Sequence, residues 1–183
     1  MILLTGSSGF IGSHLLSQLR DRFENDEIVA LTSLPIVGVK NIIHNNYDID
    51  VLRKSLMNLD IRTVIHAGAF IPKISSEADN INECNSNIFN TYKLLETLSG
   101  KDIDNFIFLS TVDVYGEDEI ITEESPLNPF SLYGQSKLYC ERMIKVWGGK
   151  NNVVVQILRI GHVYGPGEQK YKKIIPVTME RLL

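Results

Sequence analysis

The sequence predicts an α/β fold built on one parallel, doubly wound sheet. Three observations predict it. Short apolar, β-branched runs alternate with segments of helical period along the 183 residues. Those runs lack the in-out alternation of a half-exposed sheet, so they read as strands buried on both faces. The first run leads into a glycine-rich turn that opens a helix.

In order, Met1 to Thr5 is the first strand, and Phe10 to Phe23 a helix with apolar positions at Phe10, Ile11, Leu15, Leu16, Leu19 and Phe23. Glu27 to Leu31 and Asn41 to His44 are the second and third strands, and Asp50 to Leu59 is a helix. Thr63 to His66 is a strand. Asn80 to Leu98 is a long helix that Ser99-Gly100 ends, glycine supplying the left-handed cap. Asn105 to Ser110 is a strand, Ser131 to Trp147 a helix ended by Gly148-Gly149, and Val153 to Arg159 a strand. Ile174 to Leu183 begins a further helix. Helices between parallel strands imply right-handed crossovers.

Composition sets bounds. Hydrophobic content of 44% and charged content of 22% are globular values, and the length suits one domain, 1–183. A net charge of -4 without a basic block argues against nucleic acid or an anionic membrane as partner. No run approaches the ~20 apolar residues of a membrane span. Cys84 and Cys140 show neither CxxC spacing nor neighbouring histidines, so a zinc site or disulfide is disfavoured and a reducing, cytoplasmic setting is expected. The four histidines have no metal-ligand spacing.

Two features carry chemistry. Thr5-Gly6-Ser7-Ser8-Gly9-Phe10-Ile11-Gly12 lies between a strand and a helix. There Gly6 permits the turn, Gly9 lets backbone approach a pyrophosphate, and Gly12 lets helix and sheet pack closely. The helix N-terminus adds N–H donors and partial positive charge. After the second strand stands Leu31-Thr32-Ser33, with neither the acid that selects NAD nor the arginine that selects NADP. Thr32 or Ser33 binds the ribose, or both belong to a solvated turn; the cofactor is NAD or NADP.

Tyr133 and Lys137, four residues apart, share one helix face. A cation near the phenol lowers its pKa from ~10 and suits it to acid–base work. Ser110 and Thr111, at the carboxyl end of a strand, offer hydroxyls to hold a substrate oxygen.

These motifs, in order, resemble an extended short-chain dehydrogenase/reductase of the sugar-nucleotide epimerase/dehydratase kind. The resemblance covers TGSSGFIGSHL from Thr5, DID at Asp48, HAGA at His66, NIFNTYKLLE from Asn87, STVDVYGE from Ser110, SPLNPFSLYGQSK from Ser125 and LRIGHVYGPG from Leu158. It implies a Rossmann-like sheet that lacks most of the C-terminal substrate lobe. It implies that Gly6, Gly9 and Gly12, with the N–H groups of Phe10 and Ile11, cradle the dinucleotide phosphates. Asp48 and Ile49 would border the adenine, and Ala67, Gly68 and Ala69 the path to the nicotinamide ribose. Lys137 would hold the ribose and tune Tyr133, the proton donor and acceptor. Thr111 matches the catalytic Ser/Thr. Asn87 matches an asparagine near the site, or is a polar residue on a helix face. His66 is structural or cofactor-adjacent, and Tyr115 and Tyr164 are site walls or ordinary aromatics.

The 4,6-dehydratases of this family carry Asp-Glu after the catalytic threonine. Val112-Asp113 stands here, so the resemblance favours an epimerase or reductase of a nucleotide-sugar over a dehydratase. His162 replaces an asparagine common among relatives. Homodimer pairing through the two long helices is implied, unless their apolar stripes only face the sheet. The competing expectation is a dinucleotide-binding sensor or scaffold without catalysis.

Overall fold

The computed structural model describes residues 1–43, 47–116, 120–168 and 177–178. Its six strands are β1 (Ile2–Thr5), β2 (Ile28–Thr32), β3 (Lys40–Ile43), β4 (Thr63–His66), β5 (Asn105–Thr111) and β6 (Val154–Ile160). All pair in parallel, in the order β3-β2-β1-β4-β5-β6. The chain first builds outward from β1 to β3. It then returns to lay β4 on the other side of β1, and this reversal leaves a crevice at the carboxyl ends of β1 and β4.

The helices are α1 (Phe10–Arg20), α2 (Ile49–Leu56), α3 (Ile81–Leu98) and α4 (Leu132–Asn151). They divide unequally between the two faces. Under α1 lies a small core of Leu4, Leu16, Ile28 and Ile65. The larger core joins Leu3, Val64, Phe106 and Phe108 of the sheet to Leu52 and Leu56 of α2, Leu94 and Leu98 of α3, and Ile144 and Trp147 of α4. β1, β2 and β4 are buried on both faces, as their unalternating apolar runs predict; β5 instead alternates buried and half-buried positions, and the edge strands β3 and β6 are partly exposed.

Three helices start on side-chain caps: Asp48 accepts from the Val51 N–H, Asn80 from Glu83 and Ser131 from Gly134. The predicted end of α4 needs correction. The helix runs through Gly148-Gly149 to Asn151 and stops on Asn152, whose left-handed backbone (φ 56°) donates to the Gly148 carbonyl. Gly148 is a packing residue, because a Cβ there would overlap Val155 of β6. The smaller shifts are α1 ending at Arg20, α2 running Ile49–Leu56 and so ending three residues early, β2 and β6 each displaced one residue onward, and β5 running one residue further. The expected C-terminal helix lies outside the described residues except 177–178, as do His44 and Glu117.

Candidate active site

The glycine loop lies at the crevice. Gly6 has φ +68°, and a Cβ on it would sit 2.6 Å from the Gly68 backbone. The turns after β1 and β4 therefore touch backbone to backbone, and both positions require glycine. A Cβ on Gly12 would overlap the Gly6 carbonyl, so α1 rises directly off the loop. Gly9 is the N-cap of α1 and brings no side-chain acceptor, nor does the first turn hold an acid. Unlike the other three helices, α1 thus presents its positive end without a side-chain cap. Phe10 and Ile11 are the first residues of its opening turn.

A cleft of about 170 Å³ opens beside this loop. Gly6, Thr32, Ser33, Gly68 and Ala69 line it as the sequence suggests, joined by Ser8, Tyr47, Phe70 and Asn90. No charged side chain lines it among the described residues. Ser33 is exposed. Thr32 is buried, and its hydroxyl closes a turn by donating to the Leu34 carbonyl (2.9 Å) and accepting from the Leu34 N–H (3.2 Å). Asp48 and Ile49 lie outside this lining; Asp48 caps α2.

Asn87 is neither a free site group nor a surface residue. It is buried and clamps the backbone of Phe70, accepting from its N–H (2.7 Å) and donating to its carbonyl (3.1 Å). Ala67, Gly68 and Ala69 are therefore held from the Phe70 end by α3. His66 is buried, with Nδ1 2.7 Å from Thr5 Oγ1 and Nε2 3.1 Å from Thr91 Oγ1. Burial, and then the charge of Lys137, push its pKa down to about 3.

At the carboxyl end of β5 the buried Thr111 side chain lies near enough to the Tyr133 phenol to favour its ionised form. Gly134 makes this approach possible, because a Cβ there would overlap the Asp113 carbonyl of the turn that follows Thr111. The neighbouring Ser110 hydroxyl serves α4 instead, donating to Glu141 at 2.6 Å. Lys137 is buried; its ammonium donates to the Leu109 carbonyl at 2.6 Å and lies 4.2 Å from the Phe108 ring centroid. Burial lowers the Lys137 pKa to about 8, against the opposing pull of Cys140 and Glu141.

The Tyr133 phenol departs from expectation. Its pKa rises well above the usual tyrosine range, because burial dominates and Asp113 adds negative charge, with the Thr111 side chain pulling the other way. Lys137 is not among the groups that act on it; its ammonium points to the Leu109 carbonyl.

Behind Tyr133 stands a charged cluster that sequence reading missed. Glu141, buried, pairs with Arg159 of β6 through both oxygens (3.1 and 2.9 Å), and Arg159 donates to the Tyr115 hydroxyl at 2.6 Å. The available signal was spacing, since Glu141 follows Lys137 by one helical turn on the same face. Tyr115 is buried, whereas Tyr164 and His162 are exposed. Among the described residues no His, Cys, Asp or Glu group is placed to hold a metal. No helix among them is long and apolar enough to cross a membrane.

Comparison with known proteins fits this geometry. The family model described as NAD dependent epimerase/dehydratase family matches residues 2–183. The chain belongs to that family. A putative UDP-glucose 4-epimerase of Methanocaldococcus jannaschii is 35% identical over all of this chain and 63% of its own length. A dTDP-D-glucose 4,6-dehydratase of Dictyostelium discoideum is 31% identical over all of this chain and 48% of its own. The chain thus spans roughly half to two thirds of these relatives. A Thermus thermophilus UDP-glucose 4-epimerase solved in complex with NAD superposes with a TM-score of 0.80 at 28% identity, covering 91% of this chain and 56% of that one. Family membership carries the Rossmann-like fold and an NAD-dependent class of enzymes.

Proposed function

We propose that this chain is the NAD-binding core of a nucleotide-sugar epimerase or reductase, with Thr111, Tyr133 and Lys137 as its catalytic residues. The observation that carries the reading is that Thr111 at the end of β5 meets the start of α4, where Tyr133 and Lys137 are both buried, on the same sheet edge as the glycine loop. The residues fit the cofactor. Gly6 and Gly12 let the loop pack directly against the Gly68 turn and α1, where a Cβ would overlap backbone, and Phe10 and Ile11 after Gly9 open a helix whose N-terminus has no side-chain cap and can meet phosphates. Gly68 and Ala69 line the cleft, and Asn87 holds Phe70, which lines it as well. The neutral lining near Thr32 and Ser33 favours NAD over NADP, whose extra phosphate calls for a cation.

When bound, NAD would accept a hydride from a sugar carbon and return it. The protein's part is the proton. Tyr133 keeps its proton in the resting site and is set to donate it to a keto oxygen; taking one from a sugar hydroxyl requires the Lys137 charge to turn toward it. Thr111 would share that oxygen. Val112, where dehydratases carry an acid, favours epimerisation or reduction over loss of water.

Exposed Phe89 and Tyr92 on α3, with Tyr139 and Val146 on α4, support a homodimer through these helices. The buried free thiols of Cys84 and Cys140 fit a cytoplasmic setting.

The test is UDP-glucose turnover with NAD, beside NADH titration. Tyr133→Phe is expected to lower turnover by ~100-fold or more while NADH affinity changes little. An unchanged rate overturns the assignment. Tight NADH binding without turnover of any nucleotide-sugar would leave a non-catalytic dinucleotide-binding module as the surviving reading.

A further inference from the structure

The polar residues behind the glycine loop form one chain whose proton positions can be worked out. The Thr91 hydroxyl lies 2.8 Å from the Asn87 carbonyl, which only accepts, so the single Thr91 proton is committed there. His66 Nε2, 3.1 Å from the same hydroxyl, must then carry a proton and donate it. Burial keeps this imidazole neutral, so Nδ1 is bare and accepts. The Thr5 proton points to Nδ1 at 2.7 Å, leaving Thr5 Oγ1 as acceptor for its other neighbours. These are the Gly68 N–H at 3.0 Å and the Tyr47 hydroxyl.

The placement of the chain gives it a purpose. Thr5 and His66 face each other as register partners at the carboxyl ends of β1 and β4. A Cβ on Gly68 would meet the Tyr47 hydroxyl at 2.8 Å, and the Gly6 N and Thr5 Oγ1 at 3.1 Å each. The Gly68 turn is therefore wedged between the glycine loop and this chain, with Asn87 gripping its far end at Phe70. Tyr47 holds φ +49°, a backbone conformation rare for a bulky residue, while its side chain lines the cleft and its phenol is buried. Surroundings that hold a residue so fix its position strongly.

We propose that Thr5, His66 and Tyr47 are positioning residues of the dinucleotide site, locking the Gly68 turn against Gly6 so that the cofactor cleft is set before the cofactor arrives. They need not touch the cofactor's reacting atoms; they act through the Gly68 amide. The inference rests on the NAD-binding reading above.

NADH titration by fluorescence tests it, on the whole chain and well below each variant's melting temperature. Thr5→Val is nearly isosteric but leaves the Gly68 N–H, the Tyr47 hydroxyl and His66 Nδ1 without their shared partner. It is expected to raise the NADH Kd about 10-fold or more, in line with loss of preorganisation. Thr5→Ser keeps the hydroxyl and stays within about 2-fold of the unsubstituted chain. Tyr47→Phe keeps the ring, removes one donor and raises Kd by about 3-fold. If Thr5→Val does not fold, the Tyr47→Phe titration decides. A lowered Tm with unchanged Kd in the folded variants shows a role in stability alone and overturns the inference. If the unsubstituted chain itself binds no NADH, the reading of the site fails first, and this inference with it.

Discussion

The two halves of the candidate site are held by opposite electrostatic means. Behind the glycine loop, Tyr47, Thr5, His66 and Thr91 are neutral and linked by directed hydrogen bonds. Behind Tyr133, Ser110, Glu141, Arg159 and Tyr115 are linked around a buried ion pair. The difference suits the tasks assigned to each half. A surface that receives phosphates needs fixed backbone donors, and a neutral support does not compete with them. A half that tunes an acid and an ammonium needs charge nearby, and Glu141 supports the charged form of Lys137 one turn away.

Breaking the ion pair is expected to have the largest effect. Glu141→Ala leaves Arg159 uncompensated and the Ser110 hydroxyl without its acceptor. Because the Arg159 side chain is 18% exposed while that of Glu141 is 1% exposed, the cost falls at the lower end for buried pairs, about 3 kcal/mol. Urea unfolding at neutral pH measures it. A loss under ~1 kcal/mol would show that the cluster is no more than a surface pair.

Acid should separate the two halves next. His66 titrates near its usual 6.5 when unfolded and at about 3 when folded. Between those values the unfolded chain binds the extra proton, so this contribution is complete above pH 6.5 and is lost as pH falls toward 3. From pH 6.5 to 4.5 the loss is roughly 2–3 kcal/mol at ~1.4 kcal/mol per unit. Replacing the group by His66→Gln removes this part of the slope, whatever the variant's absolute stability. Equal slopes for the two proteins would place His66 in contact with solvent.

The contrast also explains what the sequence disclosed. The inner strands β1, β2 and β4 were legible because their apolar runs of four or five residues are buried on both faces, whereas β6, equally apolar in sequence, is an edge strand with no buried residue. Tyr133 and Lys137 were legible because helical spacing is local, and the glycine loop because its close approaches admit no side chain. The supports were not. Thr5 and His66 meet across 61 residues and Tyr115 and Arg159 across 44, and no local pattern records such pairings. Gly148 misled for a related reason, since whether a glycine caps a helix or packs it against a strand depends on Val155 across the connection. The turn bond of Thr32 to Leu34 was not legible either, since it does not show in the residue type.

The smallest effects compare one neutral hydroxyl in each half. Thr91→Val removes the acceptor of the buried His66 Nε2–H. Leaving that donor unsatisfied costs about 1–3 kcal/mol. Ser110→Ala takes one donor from Glu141 Oε1, but Arg159 Nε still donates to the same oxygen at 3.1 Å. Its cost should be about 1 kcal/mol or less. Paired urea titrations of the two variants read the difference directly. Thr91→Val is expected to lose more, because the His66 Nε2–H has Thr91 as its partner while Glu141 Oε1 keeps Arg159. The reverse order would mean that the ion pair depends on Ser110 for its geometry, and the distinction between the halves would narrow to their charge alone.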